Sequence, residues 1–172
     1  LSFMTGKYVS KCRGWDNASP LPVDALTWPY LLRSVGYDAV LSGKMHLVGT
    51  DRLHGFSEQL AFDPHAGGEE NAEMENRLSL SSGGRHPISL WKNGMVKASE
   101  PWDSVTEAGP GTSSMIDADD EIEEAALKYL REPMRKDRPF ALCVGFVAPH
   151  FPFVVPQRYF SKYYPEKIDL PN

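Results

Sequence analysis

A chain of 172 residues, 41% hydrophobic and 24% charged, suffices for one substantial core and reads as one domain or part of one, not as a disordered segment. Its 18 basic and 23 acidic residues give a formal charge of -5, without the clustered Lys and Arg that neutralise phosphates or the basic amphipathic stripe that binds a membrane surface, so no nucleic-acid and no membrane partner is expected. No apolar run approaches the roughly 18 residues of a spanning helix, and the two cysteines, Cys12 and Cys143, have neither disulfide-framework nor metal-site spacing.

The opening LSFMTGKYVSK lacks the basic-then-apolar order of a signal peptide, and because residue 1 is Leu the natural start is expected upstream. The compartment therefore stays open. Asn17-Ala18-Ser19 matches a glycosylation acceptor, which matters only in a secreted eukaryotic protein. In LTWPYLLRSVGYDAVLSGK, Thr27 can cap a helix and Pro29 suits its first turn, while Trp28, Leu31, Leu32 and Val35 recur on one face. Gly36 supplies the stop, and YDAVLSG follows as a short strand. Residues 27 to 43 thus predict helix, tight turn and strand, a unit of an α/β fold in which helices flank a sheet.

Just past that strand, LSGKMHLVGTDRLHGF carries Lys44, His46 and His54 among glycines. Residues 63 to 116 then form a loop-rich excursion, with PHAGGEE, SLSSGGRHP and EAGPGTSSM, and a hairpin is predicted in ISLWKNGMVKA around Asn93-Gly94. From Asp117, DADDEIEEAALKYLREPMRKD puts Ile122, Ala125, Ala126, Tyr129, Leu130 and Met134 on one helical face, with acids first and bases last. Pro133 should shorten or kink this helix. The apolar run Phe140 to Val147 predicts a central strand buried on both faces, ending abruptly at APHFPF. A second helix-strand unit therefore delivers His150 to a loop past a strand end, as the first delivers Lys44 and His46.

Ligands of α/β proteins gather past strand ends. In extended backbone Lys44 and His46, two positions apart, point to one side. An ammonium and an imidazole so paired suit a tetrahedral oxyanion, one as a point charge and the other as a hydrogen bond or proton donor. The alternative is a solvated loop lysine beside a packing histidine. His150, between Pro149 and FPF, sits in stiffened backbone with rings that can screen it from water. His54 reads as a loop-fixing residue beside a turn glycine, and His65 and His86 receive no role. DADDEIEE lacks the glycine and terminal glutamate of a calcium loop and reads as a helix start. Cys12 reads as an ordinary thiol, and no Walker loop, HExxH, nucleophile-elbow serine or GxGxxG is present.

TGKY at 5 to 8, LLRSVGYDAVLSGKMHLVG at 31 to 49, LHGF at 53 to 56 and PFALCVGFVAPHFPFVVPQRYFSKY at 139 to 163 resemble the sulfatases of the alkaline phosphatase superfamily. LSGKMH, WDNASPLPVD and DRLHGFSEQL lean towards the choline-sulfatase-like branch. The resemblance covers both ends of the chain and leaves 63 to 116 unanchored. It implies a mainly parallel, alkaline-phosphatase-like α/β sheet, here partial, with residues 1 to 172 as the central part of a sulfatase catalytic domain. It further implies a formylglycine nucleophile upstream of Leu1 and Ca2+ whose ligands lie outside this segment. Neither Cys12 nor Cys143 lies in the C/S-x-P-x-R context that becomes formylglycine. By the resemblance Lys44 binds substrate sulfate, His46 contacts the formylglycine, and His150 holds the sulfate and assists the leaving alcohol as an acid. A small-molecule or saccharide sulfate ester is the implied substrate. Phosphonate monoester or phosphodiester hydrolysis, and a non-catalytic binding domain on a degenerate scaffold, remain the alternatives; a homo-oligomer is left open.

Overall fold

The computed structural model describes residues 1–14, 16, 19–63, 108–132 and 138–164. The hairpin expected around Asn93-Gly94, Met134, His65, His86 and the Asn17 acceptor lie outside the described residues.

A short helix α1 (Ser2–Thr5) and a 3-10 turn (Val9–Lys11) precede α2 (Trp28–Ser34). Thr27 takes the cap position with extended backbone, but its hydroxyl makes no capping bond. Instead that buried hydroxyl donates to the His54 carbonyl at 2.5 Å, 27 residues away. The local capping expectation yields because a carbonyl in a tight buried turn needs a donor. At the other end the stop works as read: Gly36 has φ +90°, its N–H donates to the Arg33 carbonyl, and that of Tyr37 donates to Leu32. This pair of bonds closes the last turn with a left-handed residue and turns the chain into β1 (Asp38–Gly43).

β1 pairs in parallel with β2 (Glu58–Gln59) on one side and β4 (Phe140–Gly145) on the other. Ala39, Val40, Leu41 and Ser42 are at most 1% exposed, so β1 is the strand buried on both faces. Ala39 and Leu41 join a core with Met4, Leu21, Leu47 and Phe56. The opposite face meets α3 (Ser114–Arg131), onto which Ser42 Oγ donates at 3.0 Å to the Ile122 carbonyl. The result is a parallel sheet between helical layers, as the α/β reading expects.

The expectation of a doubly buried strand at Phe140 to Val147 is corrected. β4 stops at Gly145 and occupies an edge of the three-stranded order among the described residues, with Phe140 41% and Val144 38% exposed. A continuous apolar run reports what a strand can bury, whereas its neighbours decide what it does bury.

The loop-rich excursion is also shorter than 63 to 116 at its far end. β3 (Ala108–Pro110) pairs in parallel with β5 (Phe153–Val155), which leads into α4 (Gln157–Phe160). α3 begins before Asp117, with Ser113 as a cap whose Oγ accepts from the Ile116 N–H at 3.4 Å. Met115, Ala118, Ile122, Ala126 and Tyr129 form its buried stripe. Leu130, expected inside, is 55% exposed because one step beyond Tyr129 rotates it by about 100° off that stripe. The helix ends at Arg131, and Glu132 is extended (φ −67°, ψ 121°), the conformation favoured before a proline.

Candidate active site

β1 and β4 run in register from Asp38 opposite Phe140 to Gly43 opposite Gly145. Parallel neighbours end on the same edge, so the segments after Gly43 and Gly145 leave side by side. The Lys44 N–H donates to the Gly145 carbonyl at 2.7 Å and ties the first of them to the second strand. The approach is close enough to require glycine: a Cβ on Gly145 would lie 1.8 Å from the Lys44 carbonyl oxygen.

After Gly43 the chain is not extended. Met45 and His46 both donate backbone N–H groups to Asp63 Oδ2, at 2.8 and 2.5 Å, and His46 takes a left-handed φ of +57°. Lys44 and His46 are therefore not set on one side by extended backbone, contrary to what the two-residue spacing predicts. One carboxylate oxygen gathers two consecutive N–H groups and bends the chain there, and a non-glycine residue in this region carries backbone strain that the surrounding bonds must hold.

After Gly145 the arrangement repeats with a different carboxylate. Val147 N–H donates to Asp119 Oδ1 at 2.5 Å and Ala148 N–H to Asp119 Oδ2 at 2.9 Å. His150 follows, with its N–H on the Val147 carbonyl at 3.0 Å, and the peptides entering Pro149 and Pro152 are cis. Its half-buried ring lies against Phe151, centroids 4.1 Å apart, and Nδ1 is 2.8 Å from the Phe151 carbonyl. A carbonyl only accepts, so in this bond Nδ1 is the donor.

Electrostatics join the two segments. Burial lowers the His150 pKa from the usual histidine value; the Phe151 carbonyl opposes this, and the charges of Lys44 and His46 lower it further. Lys44 and His46 are therefore near enough to His150 for their charges to act on its ring. Burial likewise lowers the Lys44 pKa, and Asp63 and Asp119 counteract it. A cation, two imidazoles and two backbone-tied carboxylates thus occupy one region at the sheet's edge. The two carboxylates escaped the sequence reading: Asp63 carries no local signal, and Asp119 is hidden among the acids of a helix start.

His54 is buried at its turn, but its ring makes no loop-fixing hydrogen bond of the kind expected, and the backbone does that work instead. Its N–H donates to Asp51 Oδ1 at 2.9 Å, its φ is +38°, and its ring is fully buried with Nδ1 3.6 Å from Asp51 Oδ2. Burial lowers its pKa and Asp51 opposes this. Neither cysteine is primed as a nucleophile: Cys12 is buried with Sγ 3.2 Å from Thr5 Oγ1, and burial pushes the Cys143 thiol up. Among the described residues no three His, Cys, Asp or Glu side chains gather to hold a metal ion.

The lowered His54 and His150 values set a pH prediction. Both rings are neutral in the folded and unfolded chain above about 6.5, but below it the unfolded chain binds protons that the folded chain resists. Stability should be flat above that pH and fall as acid is added towards the lowered folded values. Thermal melts between about pH 5 and 8 should show this, with a shallower acid slope in His54→Gln. A melting temperature that rises on acidification through this window would contradict it.

No family model matches the chain. A choline-sulfatase of Rhizobium meliloti (strain 1021) is 33% identical over 168 residues, covering 94% of this chain and 30% of that protein. The Escherichia coli (strain K12) sulfatase YidJ is 28% identical over 159 residues, 92% of this chain and 30% of its own length. PehA of Trinickia caryophylli, a multifunctional alkaline phosphatase superfamily protein, is 25% identical over 186 aligned residues, 99% of this chain and 34% of its own. The chain thus spans about a third of the length of these curated relatives. A solved structure of BT4656, in complex with its substrate D-glucosamine-2-N,6-O-disulfate, superposes with a TM-score of 0.54 at 20% identity, covering 96% of this chain and 28% of that one. With a parallel sheet between helices and these relatives along nearly its whole length, the chain belongs to the sulfatase family of the alkaline phosphatase superfamily.

Proposed function

We propose that this segment is the central part of the catalytic domain of a sulfuric ester hydrolase, acting on a small-molecule or saccharide sulfate ester. The sulfatase names of two relatives and the sulfated sugar bound by BT4656 support the substrate class. The observation that carries the reading is that Lys44 and His46 leave one strand end close enough to His150, past the adjacent parallel strand end, for their charges to act on its ring.

In this reading the Lys44 ammonium, kept charged by Asp63 and Asp119, holds a sulfate oxygen, and His46 donates a hydrogen bond at the same group. His150 passes its Nε2 proton to the ester oxygen as the sulfur–oxygen bond breaks, so that the alcohol leaves neutral. Formylglycine would supply the nucleophile and calcium the neutralising charge. Asp63 Oδ2 and both Asp119 oxygens take backbone N–H groups, so these atoms serve the backbone. Following the resemblance, the formylglycine and the calcium ligands are both proposed outside this segment.

The test is turnover of aryl and alkyl sulfate esters by the full-length protein, with inorganic sulfate as inhibitor. Lys44→Ala should weaken sulfate inhibition by about ten- to a hundredfold, the worth of one charge-assisted hydrogen bond. Equal inhibition would remove Lys44 from the anion site. The superfamily name of PehA favours one second reading, hydrolysis of phosphonate monoesters or phosphodiesters, and a faster rate on those esters would replace the first. No turnover of any ester would favour a binding domain on a degenerate scaffold.

A further inference from the structure

We propose that Asp63 and Asp119 are positioning residues, two carboxylates that set the segment carrying Lys44 and His46 and the segment carrying His150 at the spacing the reaction needs. The inference rests on the sulfate-ester reading and adds to it residues that touch no substrate.

The geometry is the same twice, on chains from different parts of the fold. Asp63 follows β2 and is 3% exposed; one of its oxygens takes the N–H groups of Met45 and His46. Asp119 projects from α3 and uses one oxygen for Val147 N–H and the other for Ala148 N–H. Each carboxylate therefore grips two consecutive N–H groups within three residues of a proposed site histidine. Such charge-assisted bonds are about twice as strong as neutral ones and fix the backbone in two directions at once. The segments are further joined by the Lys44 N–H on the Gly145 carbonyl, so a shift of either changes the distance between Lys44 and His150. Both carboxylates also act on the Lys44 ammonium, against its burial.

The two carboxylates predict different losses. In Asp119→Asn the amide keeps one acceptor but turns an N–H2 group towards the Ala148 N–H, so the His150 segment must move. In Asp63→Asn the remaining oxygen can accept both N–H groups, while the charge beside Lys44 disappears. An alkyl sulfate needs a proton on its leaving oxygen, whereas 4-nitrophenyl sulfate expels a stable phenolate and hardly needs one. Loss of a correctly placed acid therefore separates the two esters.

The experiment measures kcat and KM of the full-length protein on both esters, inhibition by inorganic sulfate, and melting temperature. Asp119→Asn should lower kcat on the alkyl ester about tenfold more than on the nitrophenyl ester, while the loss of its charge near Lys44 raises KM on both esters alike. Asp63→Asn should raise KM on both esters and weaken sulfate inhibition by about tenfold, without separating them. If Asp119→Asn fails to fold, Asp119→Glu, with its two oxygens displaced by one methylene, carries the same test. Equal losses on both esters in the Asp119 variant, or wild-type kinetics in either position, would overturn the proposal. A wild-type protein that turns over neither ester would instead bring down the functional reading, and the proposal with it.

Discussion

Replacing His150 by Ala in the full-length protein should lower turnover of an alkyl sulfate by roughly 10²- to 10⁴-fold, the usual worth of a positioned proton donor. The ring is half-buried, packed on Phe151 and held at Nδ1, so its removal deletes a group whose orientation is already set. The pH dependence has a definite sign. Burial, Lys44 and His46 lower the His150 pKa in the free protein, so the protonated acid becomes scarce above the usual histidine value near 6.5. A sulfate anion alongside favours the imidazolium and raises the pKa in the complex. The alkaline limb of kcat should therefore lie at higher pH than that of kcat/KM, and His150→Ala should abolish the difference. Wild-type turnover in a folded His150→Ala protein would return this residue to a packing role.

Gly145→Ala should damage both fold and site. Its added Cβ would lie 1.8 Å from the Lys44 carbonyl oxygen and 2.8 Å from the carbonyl carbon, and backbone atoms cannot rotate away as a side chain can. Relief requires β1 and β4 to part at the pair Gly43 and Gly145, where the Lys44 N–H also binds. A loss of roughly 2–4 kcal/mol is expected, in the range of steric insults to a core, together with loss of ester turnover. Gly111→Ala is the control, because its Cβ would meet only a Val154 methyl at 3.1 Å, and it should stay within about 1 kcal/mol of wild type. Denaturant unfolding measures both. A Gly145→Ala protein as stable as wild type would mean that the two strand ends do not approach so closely.

What could be read from residue order alone was what neighbouring residues decide among themselves. The α2 stop at Gly36 needs only a left-handed residue after a helical turn, and the extended Glu132 needs only the proline that follows it. The placement of Lys44, His46 and His150 beyond apolar runs was likewise visible, because strand ends are marked by where such runs stop. Packing between distant segments decided the rest. Thr27 looks like a cap in its own stretch, yet its hydroxyl answers a carbonyl 27 residues later. Phe140 to Gly145 is apolar enough for a sheet's centre, yet β1 lies between the other two strands. Asp63 and Asp119 show the reason most plainly. Their partners lie 17 or more residues away, and a carboxylate in a sequence has no mark that distinguishes a solvated charge from one that will take two backbone N–H groups. That choice is made only when folding brings those donors within about 3 Å and removes the water that would otherwise bind them.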